Sequence, residues 1–342
     1  MSAVTIRDIA RLAGVSTSTV SRAMNYDSGI NRATRERILE IIKENNFVPN
    51  NSARNLKMTE SDTIALLIKG IDNQFFQGML HRFEEELSKE KYTFIIHAVG
   101  EDQDELNVAQ ELTKEKKLKG IIFLGGRIED DGTRLNLLGI PCVVCTGAIP
   151  MGNKNPVCPT VSVDDVQSGY KVVDYLIKAG HKRIAVITSK RKDNSVGKLR
   201  LEGYKRALKD NGIEYDEKLV RFMDPELREY SMANGYRVTK ELMEEGTPFT
   251  ALFAISDTTA FGAYKAIYEA GKKIPEDYSV VGFDGLEMTN YFEPSLTTMK
   301  QPIDEMVRAA INELLSAIDG EKPRYKTTFE GELIERDSVK RI

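Results

Sequence analysis

Cysteine is scarce in this 342-residue chain: three, an odd number. Such a set builds no disulfide framework and fits a reducing compartment, so the cytoplasm is the expected location. Long apolar runs are missing too. The longest strand-like runs are four to six residues, far short of the roughly 18 that a membrane-spanning helix needs. Met1-Ser2-Ala3-Val4-Thr5 has no apolar segment behind a basic start, so no secretory signal is expected. The three histidines, His81, His97 and His181, are scattered, which argues against a metal site. Gly125-Gly126 is no dinucleotide fingerprint, and no phosphate-cradling loop ends in Lys-Ser or Lys-Thr. No nucleophile, base and orienting group stand in a motif context that suggests hydrolysis, so neither an enzyme nor a cofactor is expected. Cys142-Val143-Val144-Cys145 has redox-motif spacing, but it lies within a strand-like run. A separation of three on a strand turns the two thiols to opposite faces, and they read as core.

What is present is a soluble globular composition: 41% hydrophobic, 8% aromatic and 29% charged. The length suits two domains, or one small and one large. The net charge of −4 hides an asymmetry. Residues 1–58 hold nine Lys/Arg against five Asp/Glu, leaving 39 basic and 47 acidic residues in the remainder. A basic head on an acidic body suggests that the head meets a polyanion.

The head reads as short helices. Ile6, Ile9, Ala10 and Ala13 sit at helical spacing until Gly14-Val15 breaks the pattern. Ser16 can cap a second helix with Val20, Ala23 and Met24 inward. A third stripe, Thr34, Ile38, Ile41 and Ile42, follows, and Phe47 completes the core. Helix, glycine-containing turn and capped second helix form a helix-turn-helix signature. Thr17, Ser18 and Arg22 then face outward, where they can reach base edges. Thr5, Ser16, Thr19, Ser21, Asn25 and Thr34 offer donors suited to phosphate oxygens. Residues 46–61 are polar, with one good helical stretch, Ser52–Lys57.

Beyond Ser61 the rhythm changes. Apolar runs recur at Ile64–Ile68, Phe94–Ile96, Gly120–Leu124, Cys142–Cys145, Ile184–Ile187, Ala251–Ile255 and Val280–Phe283, and amphipathic helical stretches separate most of them. That alternation predicts parallel sheets, and the number of elements predicts two doubly wound lobes with a cleft between them. Tyr325–Ile334 reads as the last strand-like segment.

These residues carry a resemblance. Thr5-Ile6-Arg7-Asp8-Ile9-Ala10-Arg11-Leu12-Ala13-Gly14-Val15-Ser16 and Thr19-Val20-Ser21-Arg22 resemble the head of the lactose-repressor/galactose-repressor (LacI/GalR) family. Phe47-Val48-Pro49-Asn50 and Ala53-Arg54-Asn55-Leu56 resemble its hinge helix. His181–Ala185, Arg200–Tyr204, Val280–Asp284 and Leu296–Gln301 extend the match through the body. The resemblance implies a small all-α helix-turn-helix head joined by a hinge helix to a periplasmic-binding-protein-like α/β body. The expected domains are 1–46 (head), 47–60 (hinge) and 61–342 (body). Within the body the expected first lobe is about 61–162 plus 292–323, and the second about 163–291 plus 324–342. It also implies a homodimer on pseudo-palindromic operator DNA. Asn50 joins the phosphate set, Ala53 and Arg54 lie in the minor-groove hinge, and Leu56 is the inserted leucine. An isolated helix of about eight residues is marginal, so the hinge should fold only where DNA and a partner hinge stabilise it. No leucine heptad tail of the tetrameric members follows the body, so a dimer is expected.

For the effector, the resemblance places Asn73 and Phe75 in a pocket loop, Arg200 on hydroxyls or carboxylates, and Tyr230 against an apolar face. Asp284 would accept hydroxyl protons, and Gln301 would lie in the returning crossover. Asp102 and Arg127 are further candidates. Ser256-Asp257 stands where the family usually has Asn-Asp, and Thr146-Gly147 where many members have an aspartate. A guanidinium, a carboxylate, an amide and an aromatic plate suit a small polyol, so a sugar or sugar phosphate is the expected effector of a repressor of a carbohydrate-utilisation operon. The alternatives are control by a protein corepressor or a purine, a solute-binding protein without DNA binding, and a Rossmann-like enzyme.

Overall fold

The computed structural model describes residues 4–24, 29–45, 47, 61–100, 102–126, 128, 133–147, 158–191 and 195–342. The chain divides into two compact units, Met1–Thr59 and Glu60–Ile342. Of the residues singled out above, Asn25, Asn50, Ala53, Arg54, Leu56 and Arg127 lie outside the described set.

In the first unit, α1 (Ile6–Ala13), α2 (Thr17–Met24) and α3 (Arg32–Glu44) close on a core of Ile9, Ala10, Ala13, Val20, Ala23, Ile38 and Phe47. Met24, Ile41 and Ile42 are only partly covered. Thr5 starts α1 through a capping box: its hydroxyl accepts the Asp8 N–H, and the Asp8 carboxylate accepts the Thr5 N–H. Gly14 ends the helix at φ +66°, a left-handed conformation that glycine adopts without strain.

The second unit holds two six-stranded sheets with helices packed around them. The first runs in the order β11 (Lys326–Phe329), β5 (Thr160–Val163), β4 (Cys142–Cys145), β3 (Gly120–Leu124), β1 (Thr63–Lys69), β2 (Thr93–Val99). The second runs β12 (Glu332–Ile334), β10 (Thr297–Lys300), β9 (Ser279–Asp284), β8 (Ala251–Ala254), β6 (Ile184–Thr188), β7 (Val220–Phe222). Every pairing is parallel except β10 with β12. Central strands are buried along their whole length, as the continuous apolar runs require, whereas β2 is an edge strand with Ile96 exposed.

The crossovers differ from the expected lobe boundaries. Thr297–Lys300 pairs with β9 in the second sheet, whereas the sequence places residues 292–323 in the first lobe. Lys326–Phe329 pairs with β5 in the first sheet, whereas the sequence places residues 324–342 in the second lobe. The expected single strand over Tyr325–Ile334 is therefore two strands in different sheets, parted at Glu330-Gly331. The chain passes between lobes near residue 164, near residue 301 and at residues 330–331.

Six helices matter for the site: α4 (Gln74–Leu87), α5 (Glu105–Lys116), α7 (Asp165–Lys178), α8 (Val196–Asp210), α9 (Met232–Glu244) and α10 (Asp257–Glu269), with α6 (Thr133–Leu137) and α11 (Ile303–Ile318) completing the set. Helices α7 and α8 cross on glycine: a Cβ on Gly203 would stand 2.2 Å from the Val166 carbonyl oxygen, and one on Gly169 2.5 Å from that of Arg200. Helices α9 and α10 cross likewise, with Gly262 against the Met232 carbonyl. Missing side chains bring these backbones to a separation no other residue permits.

Candidate ligand cleft and DNA-contacting face

A cleft of about 1120 Å³ opens between the lobes, lined by loops after the carboxyl ends of strands from both sheets. Such crevices are where doubly wound sheets bind ligands. Of the sequence candidates, Asn73, Phe75, Asp102, Arg200, Tyr230, Asp284 and Gln301 line it. Asn73 caps α4 by accepting the Phe75 N–H at 3.1 Å, which fixes Phe75 in the wall. Asp102 is exposed at the rim.

Ser256 and Asp257 do not line the cleft among the described residues. Ser256 is spent on capping α10, accepting the Thr259 N–H at 3.2 Å. Asp257 is turned into the core, where its carboxylate accepts the Thr298 hydroxyl at 2.6 Å and the Leu286 N–H at 2.8 Å. Thr258, the next residue, faces the cleft instead.

The floor of the second lobe is a buried charge cluster. Arg200 Nε donates to Asp165 at 2.8 Å and Nη1 to the Ile255 carbonyl at 2.6 Å. Asp284 Oδ1 lies 3.9 Å from Nη1, and the guanidinium sits 3.6 Å from the centre of the Phe283 ring. Gln301 Nε2 donates to Asp284 at 2.8 Å. Burial pushes the Asp284 carboxyl up to about 7, even though the Arg200 charge pulls it down. Burial also raises Asp165, again opposed by Arg200. Asp257 is pushed well above the usual carboxylate range by burial and by the nearby Asp284 charge. For Arg200 burial works against the charged form, but Asp165 and Asp284 outweigh it and its pKa is raised. The cluster is a fixed array of donors and acceptors with one cation amid several carboxyls.

Among the described residues four non-glycines have positive φ, and three of them line the cleft: Thr146 (+58°), Tyr230 (+53°) and Asp284 (+117°). Backbone strain held in place by surrounding packing gathers at functional sites. The Thr146 and Thr258 hydroxyls are buried there without a hydrogen-bond partner. The Tyr230 hydroxyl approaches Ser195 Oγ at 3.4 Å. The first lobe contributes Lys69 paired with Glu105 (3.3 Å) and Arg134 paired with Asp104 (2.5 Å). Arg228 bridges to Asp72 of the opposite lobe at 2.8 Å. Sequence reasoning missed Asp165, Thr258 and the Asp104–Arg134 pair. The one available signal was position, since each acidic residue opens a helix directly after a strand.

On the head, Thr17, Ser18 and Arg22 are exposed on α2, opposite buried Val20 and Ala23. Ser21, Thr19 and Thr34 are half-buried. Ser16 accepts the Thr19 N–H at 3.2 Å, and its hydroxyl lies 2.7 Å from that of Ser18. The Thr5 hydroxyl donates to Asp8 at 2.6 Å while accepting that residue's N–H. Among the described residues, no group of acidic, histidine or cysteine side chains gathers to hold a metal, and no helix is long and apolar enough to cross a membrane.

A helix-turn-helix unit followed by a two-lobed α/β unit with an interlobe cleft defines the class of bacterial transcriptional regulators with a periplasmic-binding-protein-like body. Residues 5–50 match the model of bacterial regulatory proteins of the lacI family, and residues 173–339 that of the periplasmic binding protein-like domain. The chain is 36% identical over 343 residues to the HTH-type transcriptional regulator MalR of Clostridium butyricum, covering 97% of this chain and 98% of that one. It is 32% identical to the ribose operon repressor of Haemophilus influenzae, covering 98% of each. The chain belongs to the LacI family. Among solved structures, the transcriptional regulator CelR–cellobiose complex superposes with a TM-score of 0.72 at 29% identity, covering 98% of this chain and 99% of that one. A lac repressor dimer bound to operator and an anti-inducer shares the fold, with a TM-score of 0.78 at 24% identity over 99% and 100% of the two chains.

Proposed function

We propose that this chain is a homodimeric, cytoplasmic repressor of a carbohydrate-utilisation operon, without enzymatic activity, released or engaged by a carbohydrate bound in the interlobe cleft. The observation that carries the reading is the cleft floor: Arg200, Asp284 and Gln301 offer a fixed set of donors and acceptors, with Tyr230 and Phe75 as apolar plates. Relatives named for a ribose operon and a neighbour holding cellobiose support it. Arg22, Thr17 and Ser18 would read bases in the major groove of each half-site, and Thr5, Ser16, Thr19, Ser21, Asn25, Thr34 and Asn50 would hold phosphates. Ala53, Arg54 and Leu56 would enter the minor groove as a hinge within 47–60, linking a head of 1–46 to a body of 61–342.

Fluorescence anisotropy on operator fragments selected from random DNA tests this. Arg22→Ala and Leu56→Ala are expected to abolish salt-dependent specific binding, and a sugar that stabilises the wild type should change its operator affinity. Unaltered operator affinity in both variants, or a body that binds sugar while the intact chain ignores all DNA, would overturn it.

A further inference from the structure

Among the described residues, most charges around the cleft are answered from within the chain. Among the described lining residues seven are acidic and five basic. Lys69 is paired with Glu105, Arg134 with Asp104, Arg200 with Asp165 and Asp284, and Arg228 with Asp72. Lys190 stands beside Glu229, whose carboxylate accepts its backbone N–H. Helix N-termini are ready anion sites, yet two of those at the cleft already hold a side-chain carboxylate. Asp104 accepts the Asn107 N–H at the start of α5, and Asp164 accepts the Gln167 N–H at the start of α7. At α4 and α10 the caps are the neutral Asn73 and Ser256, and Asp257 in the first turn of α10 is turned into the core. Helices α8 and α9 are capped by the neutral Ser195 and Ser231, with Glu229 between those elements.

We infer that the cleft selects an uncharged carbohydrate and rejects the phosphate ester of the same sugar; this rests on the carbohydrate reading above. A phosphate adds about −1.5 to −2 charges. To gain Lys69, Arg134, Arg200 or Arg228 it would have to break an existing ion pair, leaving a carboxylate stranded beside it. A neutral polyol needs no such exchange. Its hydroxyls can donate to the carboxyl oxygens and accept from the cleft's amide and guanidinium groups.

The experiment is a thermal-shift and calorimetric titration of the full-length chain. The probes are ribose, glucose and cellobiose, with ribose 5-phosphate, glucose 6-phosphate and inorganic phosphate beside them, and adenine as an outsider. The expected result is binding of an uncharged sugar, with its ester at least about tenfold weaker and no response to inorganic phosphate. Asp104→Asn keeps an α5 cap, since asparagine caps as well as aspartate, but removes the carboxylate paired with Arg134. This variant should acquire a response to inorganic phosphate that Asp104→Asn/Arg134→Gln loses. An ester bound as tightly as its sugar, a wild-type response to phosphate, or no gain in Asp104→Asn overturns the charge rule while leaving the carbohydrate reading intact. Silence toward every sugar together with a response to adenine overturns the carbohydrate reading itself.

Discussion

Replacing Arg200 by methionine keeps most of the stem volume and removes the guanidinium. The side chain is 6% exposed, and its partners Asp165 and Asp284 are 3% and 4% exposed. Deleting one partner of a buried ion pair costs about 3–5 kcal/mol, because the remaining charge is left without compensation. Here two carboxyls lose their cation, and the Ile255 carbonyl loses a donor. Against a typical total of about 5–15 kcal/mol the body should stay folded, but with a Tm lower by roughly 10 °C. Urea and thermal denaturation at pH 7.5 read the loss. The penalty should then shrink with acid. Without Arg200, both carboxyls titrate higher in the folded state than in the unfolded chain, so the folded state takes up the extra protons, and the stability lost as pH rises through those values returns as it falls. Adding Asp165→Asn should recover part of the loss at neutral pH. A penalty under about 1 kcal/mol at pH 7.5, or one that grows on acidification, would refute the view that this cluster holds a compensated buried charge.

Three further outcomes are expected. Asp284 has a folded value of about 7 against an ordinary 3.8, so it contributes stability that is complete below that ordinary value and is lost as pH climbs toward 7. Asp284→Asn should therefore flatten the pH–stability profile across that window relative to wild type, and parallel profiles would contradict it. Gly203→Ala drives a Cβ into the Val166 carbonyl and should cost about 1–3 kcal/mol while weakening sugar binding, both measured by calorimetry. Wild-type values for both would show that the helix crossing tolerates widening. Thr5→Ala removes the capping box of α1 and should destabilise the head by about 1 kcal/mol. Amide exchange should quicken in residues 6–13 and not in the body; uniform protection across α1 would reject this.

The sequence revealed the strands that are buried on both faces, because such strands must be apolar throughout. It hid short strands that carry no continuous apolar run. Thr160–Val163 alternates half-buried and buried positions over four residues, too brief a pattern to separate from a turn. Lys326–Phe329 and Glu332–Ile334 read as one segment because local pattern cannot report that Gly331 carries the chain from one sheet to another. In the site, Arg200, Asp284 and Tyr230 were legible through family motifs. Asp165 was not, since an aspartate opening a helix reads as an N-terminal residue wherever it sits. Only the glycine crossing of α7 over α8 sets it against Arg200. Ser256-Asp257 misled for the converse reason: side chains after a strand can point back under the sheet as readily as outward.

The three passages between the lobes have a mechanical consequence. Asp165 directly follows the first, Gln301 stands at the second, and Lys171 holds Glu330 at the third with a 3.0 Å ion pair. The groups that would grip a ligand, Arg200 and Asp284, are thus fastened to the fulcrum on which the lobes turn. A displacement of a fraction of an ångström there would be levered into a larger swing at the distal ends, which would place the sensing of an occupant at the axle and not at the jaws.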